Sequence, residues 1–255
     1  MTDTHSHIVW DVDDGASTME VSLAMLKIAA ANGTTDIVAT PHANPKYPFR
    51  RELVLARIEA LNQATDGHPR VHFGCEFHLS FDNIDHLMDN LRRYTINGKQ
   101  YLLVECPDFH IGRHTENVLR SMVDAGIVPI IAHPERNPTL REKLTRAEEW
   151  VELGCLLQIT AMSVTGHFGG SAKSASHRLL SRGLVHIVAS DAHDPLNRSP
   201  RMSEAHRAVG ERYGEELAEI VFAENPRAVV DGAPLLGGKQ TVWAPPRRWY
   251  RFWEK

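Results

Sequence analysis

The chain is short of cysteine, of long apolar runs and of excess basic charge, and each shortage removes a class of explanation. Its three cysteines, Cys75, Cys106 and Cys155, are far apart and odd in number, which argues against a disulfide framework and fits a reducing compartment. No CxxC pair occurs. A thiolate phosphatase needs arginine at C-x5-R spacing to bracket phosphate, and none of the three has it; Cys106 to Arg113 is one residue too long. Cys75 and Cys106 adjoin Glu76 and Glu105, so alternation turns both thiols toward packing helices. The longest apolar runs, such as Ile127 to Ala132, fall far short of the roughly 20 residues of a membrane span. The N-terminus carries no basic stretch followed by an apolar one, so the expectation is an unprocessed, cytoplasmic protein without a membrane span. A formal net charge of −4 gives no general reason to expect nucleic acid.

What is abundant is histidine, 15 in 255 residues, and its positions matter more than its number. In Asp3-Thr4-His5-Ser6-His7 an extended strand turns Asp3, His5 and His7 to one face. Two neighbouring imidazoles can chelate a metal; alternation by accident is the bland alternative, and the rest of the chain decides between them. Strands are predicted at Thr2 to Val9, Asp36 to Thr40, Val71 to Phe77, Tyr101 to Cys106, Val128 to His133, Leu156 to Ala161 and Val185 to Ser190. Helices are predicted between them: one opened by Ser17 with Glu20 as a capping box and stopped at Gly33, then Arg51 to Thr65, Thr115 to Ala125, Thr145 to Leu153 and Ser174 to Arg182. A long connection, His78 to Lys99, is expected to wall a site and to contain a short helix carrying Ile84, Leu87, Met88 and Leu91.

Seven strand units alternating with helices predict an α/β fold with a parallel sheet, closed as a barrel, in one domain over residues 1–236. Two more helical patterns, Met202 to Tyr213 and Glu215 to Ala223, lead to a basic and aromatic tail, residues 237–255. That tail, with Pro245-Pro246-Arg247-Arg248-Trp249-Tyr250-Arg251-Phe252-Trp253, reads either as a solvated terminus or as a contact for an acidic surface, a neighbouring subunit or lipid headgroups.

In a parallel barrel the chemistry gathers at the C-terminal strand ends. Those ends hold His5 and His7, His42, Glu76, Glu105, His133, then Asp191 and His193, with Asp14 on the first loop. Any one of them alone is more often structural; together at one end they point to metal. Imidazole and carboxylate without thiolate suit Mn, Fe or Zn, and nine ligands are too many for one ion, so two or three divalent ions fit better. Glu76 or Glu105 is the natural bridge between ions, and Asp3 is either a supporting partner of a histidine or a polar plug. Arg136 and Arg198 lie beside the ligands as a candidate phosphate fork, against the alternative of surface ion pairs, with Arg201 a weaker third.

Asp3-Thr4-His5-Ser6-His7, Pro41-His42, Glu76, Glu105, Ala132-His133 and Ser190-Asp191-Ala192-His193 together resemble the PHP (polymerase and histidinol phosphatase) superfamily of metal-dependent phosphoesterases. His5-Ser6-His7-Ile8-Val9 with Asp11-Val12-Asp13-Asp14-Gly15, and His133-Pro134-Glu135-Arg136, are similar more narrowly to the bacterial PHP-type protein-tyrosine phosphatases of capsular and exopolysaccharide operons. The resemblance runs from residue 2 to about residue 230. It implies a distorted (β/α)7 TIM-like barrel with a trinuclear site: His5, His7, Glu76 and Asp191 on one ion, Glu76, Glu105 and His133 on a second, Asp14, His42 and His193 on a third. The position of Asp14 is usually histidine in histidinol phosphatases, which favours the tyrosine-phosphatase branch. Ala43-Asn44-Pro45-Lys46 is less basic than that branch leads one to expect at the substrate rim.

The implied activity is hydrolysis of phosphotyrosine monoesters by a hydroxide that the metals activate, with manganese the expected ion and Arg136 and Arg198 on the phosphoryl group. A phosphotyrosine protein, with a bacterial tyrosine kinase as one candidate, is the implied partner, and a homo-oligomer is compatible with it. The competing expectations are a small-molecule phosphatase of the histidinol-phosphate type, sharing the metal ligands, and a non-catalytic module in which the metals are structural.

Overall fold

The structure is a computed structural model that describes residues 1–80, 83, 84, 87, 90–107 and 111–236. It is a mixed α/β fold in which every strand pairing is parallel. Three strands, β1 (Thr2–Ser6), β2 (Asp36–Ala39) and β4 (Arg70–Phe73), form one sheet in the order β1-β2-β4. Six more, β3 (His42–Ala43), β5 (Glu76–His78), β6 (Tyr101–Glu105), β7 (Val128–Ala132), β8 (Leu156–Thr160) and β9 (Ile187–Ala189), form a second in the order β3-β5-β6-β7-β8-β9.

One of the predicted strands is divided between sheets, and another is followed by a strand not predicted. The unit expected at Asp36 to Thr40 is β2; it ends before Pro41, which has no N–H for a ladder, and the chain resumes in the other sheet as β3. The unit expected at Val71 to Phe77 breaks at Gly74-Cys75. A Cβ at Gly74 would lie 2.9 Å from Val38 Cγ1, so the backbone crosses there too closely for a side chain. Beyond the ladders, the end of β1 is tied to the segment after β9: Asp191 N–H donates to His5 O (2.9 Å) and His7 N–H to Ala192 O (2.8 Å).

The strands are buried on both faces, as parallel strands under helices should be; all five residues of β1 and all five of β8 are buried. The helix Arg51–Ala64 turns Val54, Ile58 and Leu61 onto Ile37, Val71 and Phe73. The helix Met19–Ala31 begins one residue later than its capping-box pattern suggests, because Thr18, not Ser17, caps it and accepts from Val21 N–H (3.4 Å). Two five-residue helices, Pro138–Glu142 and Ala161–Thr165, follow β7 and β8 unpredicted, each too short to show a period. The helix expected from Ser174 begins earlier, at Gly169, and that expected from Glu215 to Ala223 is α-helical only to Glu219 before a π turn, Ile220–Glu224. In the wall segment, Asn83, Ile84 and Leu87 are helical and the last two buried, while Leu91 opens a 3-10 turn, Leu91–Arg93. Met88 and the tail 237–255 lie outside the described residues.

Cys75, Cys106 and Cys155 are buried free thiols, as alternation predicts for the first two, and burial pushes all three thiols above their ordinary range. Among the described residues no helix is long and apolar enough to cross a membrane.

One glycine links the fold directly to the site. A Cβ at Gly15 would sit 2.1 Å from His7 O, the atom that accepts from Ala16 N–H at 3.0 Å. Gly15→Ala should therefore destabilise the chain by about 1–3 kcal/mol and lower Tm by several degrees. A thermal melt at the wild-type Tm would contradict this close approach.

Candidate metal centre

Because the strands run parallel, their C-terminal ends open on one side, and all nine predicted ligands meet there. Their ligand atoms fall into four overlapping groups, the members of each within 4.8 Å of one another. The groups are His5, His7 and Glu76; His5, His133 and Asp191; His42, Glu76 and Glu105; and His7, Asp14, His42 and His193. Glu76 is the hub. Its Oε2 lies 3.3 Å from the Nε2 atoms of His5 and His7 and 3.1 Å from His42 Nδ1, and its Oε1 lies 2.9 Å from His133 Nε2.

Asp191 Oδ1 closes the first group from the other side, 3.3 Å from His5 Nε2 and 3.5 Å from His7 Nε2. Glu105 stands further off, 3.7 Å from His133 and 3.9 Å from His42. Asp14, nearly half exposed, reaches His42 at 3.5 Å and His193 at 3.7 Å. Each of the three implied subsets is thus brought together, and the subsets share borders: the His7 and His193 rings are 3.9 Å apart, and His42 faces both Asp14 and Glu76. His133 (φ +35) and Asp191 (φ +53) hold left-handed backbone that non-glycine residues rarely adopt, a local strain that turns both side chains inward.

The electrostatics require compensation. Burial, and then the charges of Glu76 and Asp191, push Glu105 up to about 9. Burial also opposes ionisation of Glu76 and Asp191, yet the surrounding imidazoles, and for Asp191 first the Arg136 guanidinium, hold both well below the carboxylate range. Burial and the neighbouring His7 drive His193 down to about 2. Carboxylates and imidazoles crowded at this range are what divalent cations relieve, and the donor set of nitrogen and hard oxygen fits such ions.

Several supporting residues carry no signal that sequence reasoning used. Asp13, adjacent to the predicted Asp14, has a fully buried carboxylate 2.7 Å from His7 Nδ1; it also accepts from the backbone N–H of His42 (3.0 Å) and Gly15 (2.9 Å). Burial opposes its charge, but His7 and these hydrogen bonds take its pKa down to about 2. Such a partner fixes the tautomer that leaves Nε2 for a metal. Gln158 plays the matching part for His5: its side-chain amide is 2.9 Å from Nδ1 and 2.6 Å from Thr4 Oγ1. In the structure the amide nitrogen faces the ring and the amide oxygen accepts from Thr4 Oγ1–H; turning the amide over would let its oxygen accept from Nδ1–H and leave His5 Nε2 for an ion. A polar residue inside Leu156-Leu157-Gln158-Ile159 was the available clue.

Asp3 resolves to the polar plug. It accepts from Ser190 N–H (3.0 Å) and Oγ–H (2.5 Å) and from His5 N–H (3.3 Å), binding β1 to the segment after β9, and burial raises its pKa to about 6. Glu135 likewise is buried and accepts from Thr160 N–H at 2.9 Å.

Arg136 and Arg198 are not surface ion pairs. Both donate Nη2–H to Asp191 Oδ2, Arg198 at 2.7 Å, so they grip the oxygen opposite the one that faces the histidines. Both remain partly exposed, and Arg198 Nε is buried without a hydrogen-bond partner among the described residues. Beside Arg136 a cleft of about 250 Å³ is lined by Glu105, Cys106, Ala132, His133 and Asn137. Arg201 is exposed. On the opposite rim, where more basic character was expected, Lys46 Nζ lies 4.6 Å over the Tyr47 ring, and that ring runs parallel to His42 at 5.8 Å.

Removing the Asp13 charge tests this support. Asp13→Asn should weaken metal binding about 10–100-fold, measured by competition with a chelator while the fold is kept. Wild-type affinity would show that His7 needs no such partner.

Comparison with known proteins agrees with the site. Residues 1–231 match the family described as capsular polysaccharide synthesis, CpsB/CapC. The chain is 32% identical over 250 residues to the tyrosine-protein phosphatase YwqE of Bacillus subtilis, covering 96% of this chain and 95% of that protein. It is also 32% identical over 241 residues to the tyrosine-protein phosphatase CpsB of Streptococcus pneumoniae, covering 90% and 98% respectively. A solved structure from work on YwqE and CpsB, described as unique metal-dependent tyrosine phosphatases, superposes with a TM-score of 0.85 at 31% identity, over 92% of this chain and 96% of that one. The chain belongs to the CpsB/CapC family of capsular polysaccharide synthesis.

Proposed function

We propose that this chain is a metal-dependent protein-tyrosine phosphatase that hydrolyses phosphotyrosine monoesters and acts in capsule or exopolysaccharide synthesis. The observation that carries the reading is the junction at Asp191: one oxygen faces the imidazole cluster while the other holds two arginines at the mouth. A purely structural metal site has no use for such a fork. Relatives of the same length, named tyrosine-protein phosphatases, support the substrate class.

The fold reading that accompanies it is a distorted (β/α)7 barrel of the PHP type, spanning residues 1–236 as one domain; the bridge between the end of β1 and the segment after β9 supports it. His5, His7, Asp14, His42, Glu76, Glu105, His133, Asp191 and His193 would hold two or three divalent ions, manganese by preference and iron or zinc by ligand type. Such ions supply Lewis acidity and activate water for attack at phosphorus.

The chain's own residues do the rest. Arg136 and Arg198 bind the phosphoryl oxygens and offset charge as the bond to the leaving oxygen loosens. Glu76, buried and ionised among four imidazoles, holds the ligand shell together. Asp13 and Gln158 keep His7 and His5 oriented. A tyrosinate leaving group, with a pKa of about 10, departs without a strong general acid, and none is assigned. The substrate is a cytoplasmic phosphotyrosine protein, with a bacterial tyrosine kinase as the leading candidate.

His133→Ala should lower p-nitrophenyl phosphate hydrolysis by about 100-fold or more with the far-UV circular dichroism unchanged; retained turnover would remove His133 from the site. Arg136→Ala should lose about 10–1000-fold in kcat/KM with its metals retained, and an unchanged kcat/KM would return Arg136 to a structural role. A phosphotyrosine peptide should be turned over faster than histidinol phosphate, and the reverse order would overturn the substrate assignment.

A further inference from the structure

Of the seven strand units predicted from the sequence, the one observed as β8 gives the site no predicted ligand. It leads instead through the short helix Ala161–Thr165 into Gly166-His167-Phe168-Gly169-Gly170. The turn is well fixed. Gly166 (φ +99) and Gly169 (φ +89) take left-handed backbone, Gly169 N–H donates to Gly166 O (2.9 Å), and His167 N–H donates to Met162 O (2.9 Å). Its product is the position of one ring. The Arg136 guanidinium carbon lies 4.8 Å from the Phe168 centroid and that of Arg198 lies 5.9 Å from it.

Core packing does not account for this ring. Phe168 is half-buried, and it is absent from the side chains packed against each of the three apolar clusters of the described residues. It precedes the helix Gly169–Ser181, yet that helix has no side-chain cap. Among the described residues, the cations over its ring are Arg136 and Arg198.

The arginines need such a partner. Each is anchored to Asp191 through Nη2, and a guanidinium held at one nitrogen can pivot about that contact. Two like charges gripping one carboxylate oxygen also repel each other. A π face attracts both cations and gives each a second point of contact, which sets where their unused N–H groups aim.

We propose that Phe168 is a positioning residue for phosphate recognition, bracing Arg136 and Arg198 so that their free donors meet the phosphoryl oxygens as a preformed fork. The inference rests on the phosphatase reading above. It assigns Phe168 no contact with the reacting atoms; the ring acts through the arginines.

The test uses the full-length protein loaded with Mn²⁺ and compares wild type, Phe168→Leu, Phe168→Tyr and Phe168→Leu in an Arg136→Ala background. Phe168→Leu keeps similar bulk but removes the π face. It should raise Ki for inorganic phosphate and KM for p-nitrophenyl phosphate together, about five- to tenfold, as expected for two partly exposed cation–π contacts. Bound metal per chain and Tm should stay at wild-type values. Direct calorimetric titration with inorganic phosphate should give the same loss of affinity. Phe168→Tyr should stay within about twofold of wild type, and the Leu effect should shrink when Arg136 is absent. An unchanged phosphate Ki in Phe168→Leu, loss of metal or early melting in that variant, or a Tyr variant as weak as the Leu variant would overturn the role of the ring. Failure of the wild-type protein to hydrolyse phosphate esters would overturn the phosphatase reading itself.

Discussion

The structure depends on bringing buried carboxylates of like charge to one point. Glu76 and Asp191 are almost fully buried at the strand ends, with Glu105 close enough to be pushed up to about 9 by burial and by their charges. In a protein interior such crowding is strongly unfavourable without compensation. Five imidazoles and two guanidinium groups supply part of it, and divalent ions would supply the remainder. Much of the surrounding architecture follows from holding this arrangement. The two-residue β3 sets His42 in register with Glu76, and His133 and Asp191 hold left-handed backbone that turns them inward.

A layer of supporting contacts keeps the ligands from relaxing apart. Gln158 on His5 and Asp3 on Ser190 join elements distant in sequence, Asp13 ties the first loop to His7 and to His42, and each is itself buried or partly so. Gly15 permits the first loop to pass close over His7, which brings Asp13 and Asp14 to the two sides of the histidine cluster. On the outer side, Asp191 divides its two oxygens between imidazoles and arginines. Phosphate recognition by the arginines would thereby be coupled to the candidate ligands through a single carboxylate.

Much of this was legible in the sequence because strand periodicity and strand-end placement are local facts. His5 and His7 alternate, and Glu76, Glu105, His133 and Asp191 follow or close apolar runs, so all nine ligand candidates could be named before any tertiary contact was known. The division of the sheet was not legible. It depends on Pro41 ending one ladder and on the approach of Gly74 to Val38, which is a contact between strands far apart in the chain. Asp13 escaped notice because adjacent aspartates in a loop carry no period to tell them apart. Phe168 escaped because its five-residue helix and glycine turn look like an ordinary connection. The arginines were legible as candidates, but only the fold reveals that both reach one oxygen of Asp191.

The central claim is that the buried carboxylate and imidazole cluster works as a metal centre for phosphotyrosine hydrolysis. Its most direct measurement strips the protein of metal, adds Mn²⁺ stepwise, and follows bound metal and turnover of a phosphotyrosine peptide on the same samples. The account predicts no turnover in the stripped protein and recovery that tracks the metal bound. Full turnover after complete removal of metal would contradict it.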